Sequence, residues 1–176
     1  MFNLNRSAIG FLVFLGWISN AWGSSPPGSC IEPMVRAGSA ILAGCIAGYD
    51  AVGAYYSYDA KQKIVGKNST DTKAEAPLMV ATTLQATSAV LLAAAIPTAF
   101  IWKKGTDFAT GISAISFLLW LGGSFANSAA YQFEHREYPV PFAISMGGIL
   151  ANFLPVIGYF FTRAVIDPGV RHVSEA

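Results

Sequence analysis

Three stretches of this chain carry no charged residue: Ala76 to Trp102, Phe108 to Phe133 and Tyr138 to Thr162. Each exceeds the roughly 20 residues that an α-helix, rising about 1.5 Å per residue, needs to cross about 30 Å of hydrocarbon. A fourth stretch, Met34 to Tyr58, is apolar around a single acidic residue, Asp50. The hydrophobic pattern therefore predicts four membrane-spanning helices and an all-α integral membrane protein.

The connections between the predicted spans set their relative direction. Lys103 to Asp107 joins the second and third spans, and Gln132 to Pro139 joins the third and fourth. Helices joined by such short connections lie antiparallel to their neighbours. We therefore expect an antiparallel four-helix bundle over residues 34–163, with Asp59 to Glu75 as a mixed polar loop and residues 164–176 as a polar tail.

A shorter apolar run, Ala8 to Ile18, precedes the predicted spans and follows Arg6. A basic start, an apolar core of about ten residues and small residues at the exit describe a secretory signal peptide. Residues 1–23 would then be removed by cleavage after Gly23; the alternative is a short extra N-terminal helix that stays attached. Both interpretations place residues 24–33 in a lumenal or extracellular segment, and they favour the secretory pathway or the plasma membrane.

The orientation of the bundle stays open on the sequence. If the N-terminal segment is a signal peptide, the loop Asp59 to Glu75 is cytoplasmic. Lys and Arg residues are then equally numerous on both sides, so the positive-inside rule decides nothing. The sequon Asn68-Ser69-Thr70 favours the reverse, because it is glycosylated only when it faces the lumen.

Composition excludes several classes of function. Only 12% of the residues are charged and the formal net charge is +1, so no basic face is available for nucleic acid. His135 lies in a charged turn and His172 in the tail, whereas haem or a metal centre in a bundle needs clustered ligands on the spans. We therefore expect no catalytic, cofactor or metal site. Cys30 and Cys45 form no C-x-x-C motif, and we expect Cys45 to be a core residue.

Each predicted span contains one strongly polar side chain: Asp50, Gln85, Asn127 and Asn152. In an antiparallel arrangement the first three lie at nearly the same depth and can form one polar layer, while Asn152 lies nearer mid-membrane, close to Pro155. An intramembrane carboxylate is a functional candidate by default. The structural alternative is that Asp50 is protonated, or hydrogen-bonded to Gln85, Asn127 or a Tyr hydroxyl, and fixes the helix register. A third alternative is that Asp50 contacts a partner subunit.

Small residues recur at intervals of four on three of the predicted spans. Such residues line one helix face and let a second helix approach closely, which gains contacts that lipid cannot replace. We expect a helix-packing face that comprises Ala40, Gly44 and Gly48, then Gly122, Ala126 and Ala130, and finally Gly147 and Ala151. The spacing does not say whether these faces pack within the chain or against another protein.

Three hypotheses of function follow from these patterns. The first is a non-catalytic tetraspan protein, an accessory, scaffold or assembly subunit of a membrane complex, whose partners are the lipid bilayer and other membrane subunits or further copies of itself. The second is a small transporter or channel that uses the polar layer around Asp50. The third is a membrane enzyme acting on an apolar substrate, although no nucleophile and base can be assigned from spacing.

Overall fold

A computed structural model of the protein describes residues 31–66, 73–101, 105–134 and 139–166. These residues form α1 (Ile31–Gly66), α2 (Glu75–Ile101), α3 (Gly105–Glu134) and α4 (Pro139–Ile166), with no strand among them. Each helix is long and apolar enough to cross a membrane.

For the residues that the structure describes, the prediction of an all-helical fold with four membrane-length helices is confirmed. The N-terminal run with its cleavage site, Cys30, the sequon at Asn68, and both histidines lie outside the described residues.

The four helices surround a shared interior. α1 packs beside α2 and α4, α3 also packs beside α2 and α4, and α1 meets α3 only slightly across the diagonal. Near one end, Arg36 of α1 donates a hydrogen bond to the carbonyl of Ala99 on α2 at 2.5 Å. Near the other end, Ile64 of α1 packs against Leu78 of α2. We call these the Arg36 end and the Ile64 end of the bundle.

Many large apolar side chains lie on the outside of the bundle, whereas alanine is the commonest buried apolar residue. Leu150 is 82% exposed and Val90 is 68% exposed, whereas Ala43 and Ala95 are fully buried. This distribution suits a helix bundle in lipid, because alanines let the backbones approach closely while large side chains contact the acyl chains. The interior is also rich in serine, and several of these serines form hydrogen bonds between helices.

Helix α1 extends beyond the predicted span. The expected loop from Asp59 is helical as far as Gly66, so that part of the loop prediction is wrong. Ala60 and Ile64 continue the buried face of α1 and pack against Leu78. On the exposed side, Asp59 and Lys63 form an i,i+4 ion pair with a distance of 2.6 Å, which adds modest support to the last turns. At 36 residues, α1 is about 54 Å long and exceeds the hydrocarbon thickness.

The expectation that Cys45 is a core residue is wrong, because this cysteine is free and exposed. The buried face of α1 is instead formed by residues such as Ala43, Ile46 and Asp50. Cys45 lies on the opposite side of the helix, since the 3.6-residue period turns it away from these positions.

Candidate functional site

Asp50 is the centre of a polar cluster to which all four helices contribute. The cluster comprises Asp50 of α1, Ser88 of α2, Ser116 of α3 and Asn152 of α4, which we call the Asp50 tetrad. Ser88 donates a hydrogen bond to Asp50 Oδ2 at 2.5 Å, and Asn152 Nδ2 donates to Asp50 Oδ1 at 2.8 Å. All four side chains are at most 1% exposed.

Two serines tie α2 to α3 within this tetrad. The hydroxyls of Ser88 and Ser116 lie 2.7 Å apart, and Ser116 Oγ also lies 3.0 Å from the carbonyl oxygen of Ser88. Each hydroxyl has one proton but more than one acceptor within reach, so the direction of the hydrogen bonds can reverse. The described residues bring no Lys or Arg side chain into an ion pair with Asp50, so the carboxyl group relies on these uncharged partners.

A second polar cluster lies nearer the Ile64 end. It comprises Ser57 of α1, Gln85 of α2, Asn127 of α3 and Ser145 of α4, which we call the Gln85 tetrad. Ser57 donates to Gln85 Oε1 at 3.1 Å, and Gln85 Nε2 donates to Ser145 Oγ at 2.8 Å. Asn127 Nδ2 lies 2.6 Å from Ser145 Oγ and 3.0 Å from Ser57 Oγ, which closes a ring of hydrogen bonds through all four helices.

Trp120 of α3 fills the space between the two tetrads. Its side chain is fully buried, and its Nε1 donates a hydrogen bond to the carbonyl of Ser145 at 3.2 Å. Glycines of two neighbouring helices make room for the indole. A Cβ atom on Gly53 would lie 2.7 Å from the ring, and one on Gly148 would overlap both Trp120 and Tyr49. The interior is therefore layered, with the indole of Trp120 between the Asp50 tetrad and the Gln85 tetrad.

The structure places the four predicted polar residues in two groups. Gln85 and Asn127 lie together in one tetrad, while Asp50 and Asn152 lie together in the other. The expected single layer of Asp50, Gln85 and Asn127 does not form, and Asp50 is hydrogen-bonded to Ser88 and Asn152 instead of to Gln85, Asn127 or a Tyr hydroxyl. Asn152 donates to Asp50 and to the carbonyl of Gly148, rather than to the carbonyl that lacks a partner because of Pro155.

The predicted packing faces are divided between the interior and the surface. Ala40 and Ala130 are buried; Gly44, Gly122, Ala126 and Ala151 are partly buried; Gly48 and Gly147 are exposed. A Cβ on Gly44 would lie 3.5 Å from Ile96 of α2, whereas one on Gly48 would meet nothing within 4 Å. Gly44 thus packs within the chain, and Gly48 faces outward.

Several residues of this site were not singled out from the sequence: Ser57, Ser116, Ser145, Trp120, Gly53 and Gly148. A usable signal existed on α3, where Ser113, Ser116, Trp120, Ser124 and Asn127 recur at intervals of three and four. Such spacing puts polar residues on one helix face. Without neighbouring helices, however, serines are weak evidence, because their hydroxyls also bond to their own backbone.

The described residues offer no recognisable metal or cofactor site. No three His, Cys, Asp or Glu side chains come together in the part of the chain that the structure describes. The chemistry within reach of the Asp50 tetrad is therefore hydrogen bonding and proton binding by oxygen atoms. The Gln85 tetrad contains no titratable group.

The ring of the Gln85 tetrad leads to a testable prediction. We expect Gln85→Leu to lower the free energy of unfolding by about 1–2 kcal/mol, because interhelical hydrogen bonds in membranes contribute about 0.6 kcal/mol on average and Gln85 makes two. The measurement is unfolding by denaturing detergent, followed by circular dichroism. Thr87→Val on the same helix is the matched control, since Thr87 is exposed and bonds only to its own backbone. Equal stability of both variants would contradict a stabilising ring.

Comparisons of the chain with protein-family models, with curated proteins and with solved structures found no match.

Proposed function

We propose that this protein is a non-catalytic tetraspan membrane protein that acts as an accessory, scaffold or assembly subunit of a membrane complex. The observation that carries the proposal is a group of small residues on the outer face of α1, which lie between large exposed side chains such as Ile41 and Val52. Ala37, Cys45, Gly48 and Ala51 are exposed there, and a Cβ on Gly48 would have open space around it. The partner would be a transmembrane helix of another subunit or of a second copy of this chain.

The contrast between these small residues of α1 and the outward face of α3 supports the proposal that α1 binds a partner helix. Large apolar residues dominate the outward face of α3, where Phe108, Ile115, Leu118 and Phe125 are all more than half exposed. Such side chains gain extensive contact with lipid tails. Small outward residues gain less from lipid, but they let another helix backbone approach and gain van der Waals contact.

The proposal predicts that Gly48→Leu disrupts an assembly without unfolding the chain. A Cβ at this position has no atom of the described residues within 4 Å, and the side chain of a leucine would hold a partner helix away from α1. We expect the particle extracted in mild detergent to become smaller, as measured by size-exclusion chromatography with light scattering. The expected loss of affinity is about tenfold or more, a change of about 1.4 kcal/mol.

Gly111→Leu on α3 is the matched control. Gly111 is also exposed with nothing within 4 Å of a Cβ, but its face is lined by large residues. Gly44→Leu is a poorer probe, because Gly44 packs against Ile96 within the chain. A monomeric wild-type particle, or an assembly that Gly48→Leu and Gly111→Leu leave equally intact, would contradict the proposal.

We extend the proposal to the direction of the helices, the N-terminal segment and the location of the chain. We propose that the helices cross the bilayer as an antiparallel bundle, which the pairing of Arg36 with Ala99 and of Ile64 with Leu78 supports. We also propose that residues 1–23 are a cleaved signal peptide and that the chain resides in the secretory pathway or the plasma membrane. Sugar attached to Asn68 in microsomes would reverse the orientation that a signal peptide implies.

A small transporter or channel is the second candidate, and the Asp50 tetrad is the observation that favours it. A carboxyl group without a cationic partner inside a membrane-spanning bundle marks a candidate ion or proton pathway. Proton and cation fluxes that are the same for Asp50→Asn and wild type in reconstituted vesicles would exclude it. The third hypothesis, a membrane enzyme, gains no supporting observation from the described residues.

A further inference from the structure

Four buried polar atoms have no hydrogen-bond partner among the described residues. They are Thr106 Oγ1, Ser113 Oγ, Asn152 Oδ1 and Tyr159 OH. All four lie on the Arg36 side of Trp120. On the Ile64 side of Trp120, every buried side-chain polar atom in the described residues has a partner. The two halves of the bundle interior therefore differ in how fully their polar groups are satisfied.

Buried polar groups in folded proteins are almost always hydrogen-bonded, and ordered water usually supplies the bonds that the protein does not. An isolated exception would carry little weight. Here the unpartnered atoms all belong to α3 and α4, two helices that pack against each other. Tyr159 belongs to the same buried cluster as Ala99 and Ala109, and Thr106 and Ser113 lie about one turn from Ala109 on either side.

These atoms extend from the Arg36 end of the bundle to the Asp50 tetrad. Along α3, Ser113 lies about 10 Å from Thr106 and about 4.5 Å from Ser116, which is part of the tetrad. Asn152 already belongs to the tetrad, and its Oδ1 is the unpartnered atom there. Beyond the tetrad, the indole of Trp120 fills the interior between Gly53 and Gly148.

We propose that water enters the bundle from the Arg36 end and reaches the Asp50 tetrad, and that Asp50 is a proton-binding site in exchange with that end only. Trp120 separates this hydrated half from the Gln85 tetrad. The proposal concerns access to one carboxyl group, so it holds whether or not the chain transports anything or assembles with partners.

The oxygen distances favour a proton over a metal cation. Asp50, Ser88 and Ser116 are joined by oxygen–oxygen distances of 2.5 and 2.7 Å, which are ordinary hydrogen-bond lengths. A hard metal cation at about 2.3–2.6 Å from each oxygen would hold these oxygens further apart. The oxygen–oxygen distances in the Asp50 tetrad therefore fit a bound proton better than a metal cation.

Proton binding can be balanced atom by atom. A hydronium ion from the aqueous phase at the Arg36 end gives its proton, through the water path, to Asp50 Oδ2; the hydronium becomes water and the carboxyl group becomes neutral. Ser88 Oγ then accepts a hydrogen bond from Asp50 Oδ2 instead of donating one. The proton of Ser88 turns to the carbonyl of Ser116, at 3.1 Å, while Ser116 donates to the carbonyl of Ser88. No buried group is left without a partner by the reversal.

The charged and titratable groups around Asp50 are few. Tyr49 is adjacent on α1, but its hydroxyl donates to the carbonyl of Ile144 at 2.7 Å. From α2, α3 and α4, the tetrad receives only the uncharged side chains of Ser88, Ser116 and Asn152. A change in the protonation of this cluster would therefore be that of Asp50.

Cysteine accessibility tests the water path. In the full chain carrying Cys30→Ser and Cys45→Ser, reconstituted in vesicles, we compare Ser113→Cys with Ser124→Cys. Both serines are fully buried, but Ser124 lies beyond Trp120. Thiols react as thiolates, so a small water-soluble methanethiosulfonate should modify residue 113 faster by roughly tenfold or more. Equally slow modification of both, in variants with wild-type helical content, would overturn the hydrated path.

Infrared spectroscopy tests the proton site. We expect a carboxylic acid band that Asp50→Asn removes and that shifts promptly in heavy water. Combined Ser113→Ala and Tyr159→Phe should slow that shift by several-fold, whereas Ser124→Ala should not change it. If Asp50→Asn removes no carboxylic acid band, Asp50 is not a proton-binding site. If the double variant exchanges as fast as wild type, the path through Ser113 and Tyr159 is excluded.

Discussion

Replacing Trp120 with alanine should have the largest effect of any single substitution in the interior. The indole is fully buried and donates a hydrogen bond to the carbonyl of Ser145. Its loss would leave a cavity between the two polar tetrads and would remove one of the two side-chain hydrogen bonds to the Ser145 carbonyl, the other coming from Ser124. Tryptophan-to-alanine changes in cores lower the free energy of unfolding by about 3–5 kcal/mol, and we expect a value in that range here.

The measurement is unfolding of the purified chain by denaturing detergent, followed by circular dichroism. Trp120→Phe is the matched control, because it keeps an aromatic ring between Gly53 and Gly148 but lacks the Nε1 donor. We expect it to lose about 1–2 kcal/mol, from one hydrogen bond and a smaller reduction in volume. Equal losses for both variants would show that the ring does not support the helices around it.

Adding one methyl group at Gly148 should also destabilise the bundle. The new Cβ would overlap the rings of Trp120 and Tyr49, which are themselves packed with their centroids 5.6 Å apart. Rigid rings cannot turn aside as a flexible side chain can, so a helix must shift. Overpacking of this kind costs about 1–3 kcal/mol.

Gly147→Ala provides the control for Gly148→Ala at the neighbouring position. A Cβ on Gly147 would lie 3.4 Å from the Tyr49 hydroxyl, which is an ordinary contact, and Gly147 is exposed. Both substitutions gain the same helix propensity of up to about 1 kcal/mol, so the difference between them isolates the overlap. If both variants unfold at the same detergent concentration, the close packing around Gly148 is contradicted.

Local sequence patterns were sufficient to predict the four helices, but they did not predict where α1 ends. Charge-free runs of membrane length predicted α2, α3 and α4 within a few residues of their observed limits. The first helix was predicted to end at Tyr58, because Asp59, Lys61 and Lys63 mark a polar segment. The buried face of α1 continues through that segment at Ala60 and Ile64. These two residues are buried because they share a cluster with Leu78 of α2, which the sequence of α1 alone cannot indicate.

The candidate site shows a similar division. The sequence identified Asp50, Gln85, Asn127 and Asn152 because strongly polar side chains are rare and conspicuous in apolar spans. It could not pair them, since depth estimated from residue counts has an error of about one helical turn, or about 5.4 Å. The pairing of Asp50 with Asn152 therefore had to come from the structure.

The sequence by itself determined that this chain forms four apolar helices with one strongly polar residue in each, because membrane length and hydrophobicity are properties of a single segment. Only the tertiary structure decided which faces meet. The rotation of each helix about its axis places Gly148 against Trp120, turns Gly48 outward and brings four serines into the two tetrads. That rotation is set by close packing between helices, which no segment of the sequence specifies alone.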